Sequence, residues 1–160
     1  MLSLPQLVEE DVLRLDEELR ELVAQSEATT ALLIDIGGFL ISSSGDARQF
    51  DLTTIAALAA GAFMANQTIA SLVRETHFES LYQQGEQFSL FVLGIDNQVL
   101  LVVIFQAHLS VGLVKYYAQP AAQRISRQLQ IAHARNPDAR LYLSEMNLAD
   151  PRDLFRKKPD

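Results

Sequence analysis

Hydrophobic spacing divides the chain into stretches of two different periods. The apolar positions Leu4, Val8, Val12, Leu15, Leu19 and Leu22 recur at intervals of three and four, which is the stripe of an amphipathic helix. Ser3 and Pro5 suit its cap and first turn, and the pattern carries it to about Gln25. Glu10 with Arg14, and Asp16 with Arg20, are acid-first pairs four residues apart that favour such a helix. The period then changes in "TALLIDIGGFLISSSGD", where the β-rich run Thr30 to Asp35 meets a second run, Phe39 to Ser43, across Gly37-Gly38. Two glycines there supply the positive φ of a tight hairpin turn. Asp51 is placed to cap a second helix running to about Arg74. "HFESLYQQG" holds a short strand, and "QFSLFVLGIDNQVLLVVIF" two more around Asp96-Asn97. Val99 to Phe105 is apolar without alternation, which predicts a central strand covered on both faces. From Ser110 a last helix buries Val111, Val114, Ile125, Leu129 and Ile131, and Pro120 predicts a kink or a fresh start within it. The predicted order is α-β-β-α-β-β-β-α, an antiparallel sheet with helices on both faces.

The second helix breaks the ordinary surface rule, because no charged residue occurs from Leu52 to Val73. On a wheel of 100° per residue, Ile55, Leu58, Ala62, Ala65, Ile69, Leu72 and Val73 form one face, read as the core stripe. The other face holds Ala56, Ala57, Ala60, Gly61, Met64, Gln67, Thr68 and Ser71, where an exposed helix would carry Lys and Glu. Three explanations compete. A membrane span has the length, but Asn66, Gln67, Ser71 and three threonines suit it poorly and no basic flank follows. A helix buried within one domain needs more covering elements than a chain this short supplies. An interface is the simplest: small side chains permit close approach, Met64 adds an adaptable contact, and a homodimer joined this way is two-fold.

Composition narrows the function. With 160 residues, 49% of them hydrophobic, the chain has the size and content of one globular domain. Cysteine is absent, which removes disulfides, thiolate nucleophiles and thiolate-bound metals. The start "MLSLPQLVEEDVLRL" has neither a basic nor an apolar leader block, so the cytoplasm is the expected location. A net charge of -7 argues against a general nucleic-acid binder. Residues 1–27 are rich in acids and offset only by Arg14 and Arg20, while 97–137 has no acid and holds Lys115, Arg124, Arg127 and Arg135. Internal pairing between these regions is favoured over an anion-binding patch. His77, His108 and His133 lack metal-ligand spacing, Ser42 to Ser44 lack a nucleophile context, and Gly37-Gly38 lacks the further motif of a phosphate loop. Asp16 and Glu18 read as carboxylates on an exposed face, ill suited to acid catalysis. No catalytic constellation, cofactor site or metal site is read from the sequence.

"ALLIDIGGFLISSSGD", "DLTTIAALAAGAFMANQTIASLV" and "SLFVLGIDNQVLLVVIFQAHLSVGLVKYY" together resemble the successive blocks of a Roadblock / dynein light chain domain, above all in its bacterial MglB-like branch. The similarity runs from about residue 8 to 134, and sets a domain over 1–135 apart from a C-terminal extension, 136–160, that is irregular or one short helix. The resemblance implies a profilin-like three-layer α/β domain: a five-stranded antiparallel sheet, the 52–74 helix on one face and the first and last helices on the other. It also implies a homodimer joined through paired central helices and third strands. The implied partner is a small Ras-like, MglA-type GTPase, whose hydrolysis is stimulated by repositioning its own catalytic groups, in cell polarity or motility. A scaffold that binds without stimulating hydrolysis is the alternative, and a small-molecule sensor a more distant one.

Carried onto this chain, the GTPase-facing residues would be Leu13, Arg14, Ala60, Gly61, Met64 and Thr68, with Lys115 near the rim. The dimer interface would comprise Ala56, Ala57, Ala60, Gly61, Met64, Phe78, Ser80 and Tyr82. Arg14 is equally accounted for by a surface pair with Glu10. Met64 and Thr68 are bulkier than the pattern, Pro120 replaces a basic helical residue, and Leu154 and Phe155 resemble the apolar end of extensions that add a GTPase contact.

Overall fold

The computed structural model describes residues 4–135. Three helices and five strands follow in the expected order: α1 (Glu9–Ser26), β1 (Thr30–Asp35), β2 (Leu40–Gly45), α2 (Leu52–Leu72), β3 (Ser80–Gln83), β4 (Phe88–Gly94), β5 (Val99–Gln106) and α3 (Val111–Arg135). All four strand pairings are antiparallel and the sheet order is β2-β1-β5-β4-β3. The apolar run Val99 to Phe105 is therefore central and fully enclosed, as its lack of alternation predicts. The two sheet faces have separate cores. Leu33, Phe91, Leu101, Val103 and Phe105 meet α1 and α3, whereas Leu32, Ile34, Val92, Leu100, Val102 and Ile104 meet α2.

Helix α1 starts later than the Ser3 and Pro5 signals suggest. Pro5 precedes the helix and Ser3 lies outside the described residues. The start is fixed by Asp11, which accepts the Val8 backbone N–H at 2.9 Å and so satisfies one orphan donor of the first turn. Leu15, Leu19 and Leu22 are buried as expected, but Val8 and Val12 are exposed. The pairs Glu10–Arg14 and Asp16–Arg20 do not form. Asp16 instead accepts the Ser42 hydroxyl of β2, and Glu18 takes Arg124 of α3 at 2.6 Å. Neither carboxylate is on the freely exposed face assigned to it, because both reach across to a neighbouring element.

Of the two glycines in the β1–β2 turn, Gly38 has the positive φ, 90°, that favours glycine; Gly37 does not. The loop has three residues, Ile36 to Gly38, closed by Asp35 N–H to Phe39 C=O at 3.0 Å and Gly38 N–H to Asp35 C=O at 2.9 Å. A side chain at Gly38 would lie 2.8 Å from the Ala57 Cα, so glycine also lets the turn close against α2. Helix α2 is capped as expected by Asp51, which accepts the Thr54 N–H at 3.1 Å. It ends at Leu72, two residues short of the expected limit, where Arg74 turns left-handed (φ 62°) and the Glu75 N–H bonds the Ala70 C=O at 2.9 Å. Helix α3 runs unbroken through Pro120 and does not restart there. That proline and Tyr116, the residue whose carbonyl the missing N–H would have bonded, are both exposed. Ile131 is exposed rather than buried.

Candidate functional site

Four alanines of α2, Ala56, Ala59, Ala60 and Ala70, face the sheet, which displaces the core stripe from its expected side. Ala56, Ala59, Ala60, Phe63 and Ala70 are buried, whereas Leu58, Ile69, Leu72 and Val73, expected in the core, are exposed, Leu58 at 69% and Leu72 at 77%. The physical reason is in the opposing layer. The sheet face under α2 presents six buried Leu, Ile and Val side chains, so the helix approaches mainly through small residues, with Phe63 the large side chain among them. Leu58, Ile69 and Leu72 are left on the outside.

Three stripes result. One, Ala56-Ala59-Ala60-Phe63-Ala70, packs on the sheet. The second, Leu58-Ala62-Ala65-Ile69-Leu72, is spaced four, three, four, three, the rhythm of a helix–helix seam. The third, Ala57-Gly61-Met64-Thr68, is exposed on the remaining flank, with Met64 at 45%. Neighbours orient the two outer stripes. Leu58 and Ala62 share an apolar groove of about 510 Å³ with Phe50, Phe88, Leu90 and Gln83, so the seam faces the β3 side of the molecule. Ala57 backs onto Gly38, and Met64 shares a larger cleft with Ile36, the β3 lead-in Phe78 and the β4–β5 turn at Asp96, so the third stripe faces the end of the sheet that carries the β1–β2 hairpin.

Strand β3 is the edge of the sheet next to the seam. Gln67 holds its lead-in: the side-chain amide donates to the Phe78 C=O at 2.7 Å and accepts the Phe78 N–H at 3.0 Å, as a neighbouring strand would. Helix α2 and the β3 edge are thus clamped in one relative position. On the far side of the sheet, Tyr82 of β3 stacks on Phe105 with centroids 6.2 Å apart, and Lys115 of α3 places its ammonium 5.7 Å from the Phe91 ring.

By length and composition α2 is also apolar enough to cross a membrane, with only 28% of its most apolar window buried. Its sheet-facing stripe is nonetheless committed to this domain. Among the described residues, no group of three His, Cys, Asp or Glu side chains is placed to hold a metal ion.

Comparison with known proteins identifies the fold. The family model of the Roadblock/LC7 domain matches residues 14–105. The chain belongs to the Roadblock/LC7 family. Among solved structures, Myxococcus xanthus MglB is similar at 29% identity and a TM-score of 0.74, covering 79% of this chain and 96% of that one. An MglB with a tetrameric arrangement gives 30% and 0.76, covering 82% and 99%. The gliding protein MglB of Thermus thermophilus gives 29% and 0.74, covering 81% and 98%. No curated protein matches.

Within this Roadblock/LC7 domain the residues singled out from the sequence are distributed unevenly. Ala57, Gly61, Met64 and Thr68 come together on the hairpin-facing stripe. Ala56 and Ala60 are 0% and 2% exposed and touch the sheet, so they set how closely α2 sits and offer no contact outward. Phe78 and Ser80 are half-buried and Tyr82 is exposed along β3. Leu13 and Arg14 are exposed on α1, on the opposite face of the sheet from α2 and toward β2, while Lys115 is on that face toward β4. Arg14 makes no ion pair with Glu10, which frees its side chain from the alternative assigned to it. The sequence reading missed Leu58, Ile69 and Leu72 as surface residues; their heptad-like spacing was the available signal. Leu154, Phe155 and the rest of the extension lie outside the described residues.

Proposed function

We propose that this protein is a homodimeric regulator of a small Ras-like GTPase of the MglA type. Two copies meet along the Leu58-Ala62-Ala65-Ile69-Leu72 seam and the β3 edge. The GTPase is received on the Ala57-Gly61-Met64-Thr68 stripe, with Leu13, Arg14 and Lys115 toward its margins. The observation that carries this reading is the uncharged α2 helix, which turns Leu58, Met64, Ile69 and Leu72 away from its own core. Burying Leu58, Ile69 and Leu72 is worth roughly 1.5–3 kcal/mol each, and two-fold symmetry counts each twice. Pairing of β3 edges would satisfy backbone groups that an isolated edge leaves open. Stimulation of hydrolysis then consists of fixing the partner's own catalytic groups, and the setting would be cytoplasmic polarity or motility. Likeness to MglB proteins supports the partner class; a scaffold that binds without stimulation shares the same surfaces.

Met64→Glu tests the receiving stripe. Placing a carboxylate on this apolar flank should weaken binding of the GTP-loaded GTPase at least a hundredfold by titration, with the mass of the free protein unchanged. Binding at the wild-type level would remove this stripe from the contact.

A further inference from the structure

The β1–β2 hairpin ends in an apolar tip that neither core uses. Phe39 is 74% exposed, and Ile36 and Leu40, on either side of it, are 38% and 37% exposed. Such a tip carries a solvation cost, yet it is held rigidly. The Asp35 carboxylate accepts the Phe39 N–H at 2.9 Å, the Asp35 N–H donates to the Phe39 C=O, and Gly38 closes the turn onto Ala57. Little ordering cost therefore remains to be met when the ring is buried by a partner, a property of aromatic anchors in protein interfaces.

The tip also has a definite place. On one side it adjoins the Ala57-Gly61-Met64 stripe through Gly38 and through the cleft that Ile36 shares with Met64. On the other it leads to α1. The Ser42 hydroxyl bonds Asp16, and α1 runs parallel to β2, since its C-terminal end adjoins Thr30, which is paired with Gly45. One turn back from Asp16 is Leu13, 61% exposed, and next to Ser42 is Ile41, which packs on the α1 and α3 core, whereas across a β-bulge Leu40 pairs with Ile34 and so shares the α2 side. The hairpin tip thus bridges α2 and α1 around the end of the sheet that otherwise separates them. The Leu58-Leu72 seam faces the β3 side, so a second copy seated there leaves the tip open.

We infer that Phe39 is the aromatic anchor of the GTPase contact, inserting into an apolar depression of that partner and joining the α2 stripe to Leu13 and Arg14 in one surface. This rests on the GTPase-regulator reading above, and the experiment separates the two. Wild type, Phe39→Ala and Met64→Glu are titrated against the MglA-type GTPase of the same organism, loaded with a non-hydrolysable GTP analogue, and each free protein is weighed by light scattering. Phe39→Ala should bind at least tenfold more weakly than wild type, with the mass unchanged. Weak binding by Met64→Glu together with Phe39→Ala binding within twofold of wild type would overturn the anchor and leave the regulator reading standing. Absence of binding by wild type would overturn the reading and the anchor with it, whereas full binding by both variants would overturn the anchor and remove the α2 stripe from the contact. A fall in mass for Phe39→Ala would place the tip in self-association and equally overturn the proposal.

Discussion

Asp11 spends its whole carboxylate on structure. It is fully buried and accepts the Val8 N–H, the Gln128 amide at 2.7 Å, and the Arg135 guanidinium through two bonds of 2.7 and 3.1 Å. Its pKa is lowered to about 2, chiefly by the hydrogen bond from Arg135, with burial opposing. The folded state thus holds this proton more weakly than the unfolded chain does. The resulting stability is present in full above the ordinary carboxylate value of about 4 and is lost as pH falls toward 2. Asp11→Asn should cost about 1–2 kcal/mol at pH 7 and little at pH 2, read from urea midpoints at fixed protein concentration. An equal loss at both pH values would contradict the assignment. This residue was legible in the sequence only as part of an acidic segment. Its specific partners come from opposite ends of the chain, which no local pattern encodes.

At the scale of the element, α2 separates what a sequence pattern can and cannot give. Its Asp51 cap, its lack of charge and, to within two residues, its limits were all readable. Which side faces the sheet was not. A wheel ranks faces by hydrophobic size, but closeness of approach selects small residues when the opposing layer is already bulky. Ala56 and Ala60 therefore went inward and Leu58 and Ile69 outward. The corrected placement moves the test of self-association to the large residues. Leu58→Asp should convert the protein to monomers at micromolar concentration, by light scattering or sedimentation, with its circular dichroism retained because the side chain is exposed in the folded chain. A dimer mass unchanged by Leu58→Asp would remove the seam from the interface.

Over the whole molecule, charge and topology were the most legible features. The order of elements followed from the change of period, and β5 was placed centrally by its unbroken apolar run. The acidic and basic regions do pair internally, through Arg124–Glu18 and Arg135–Asp11, between helices that share one face of the sheet. On the opposite face, α2 itself carries no charged residue from Leu52 to Leu72. The candidate site was less legible than the fold because it is assembled from an α2 stripe, a hairpin tip and α1, three segments separated in sequence. The account's central claim is that these surfaces act on a GTPase. Its most direct test is single-turnover phosphate release from the GTP-loaded MglA-type GTPase, with and without an excess of this protein. The account predicts an increase of at least tenfold that Met64→Glu removes; release at the intrinsic rate, with the two proteins demonstrably bound, would contradict it and leave a scaffold.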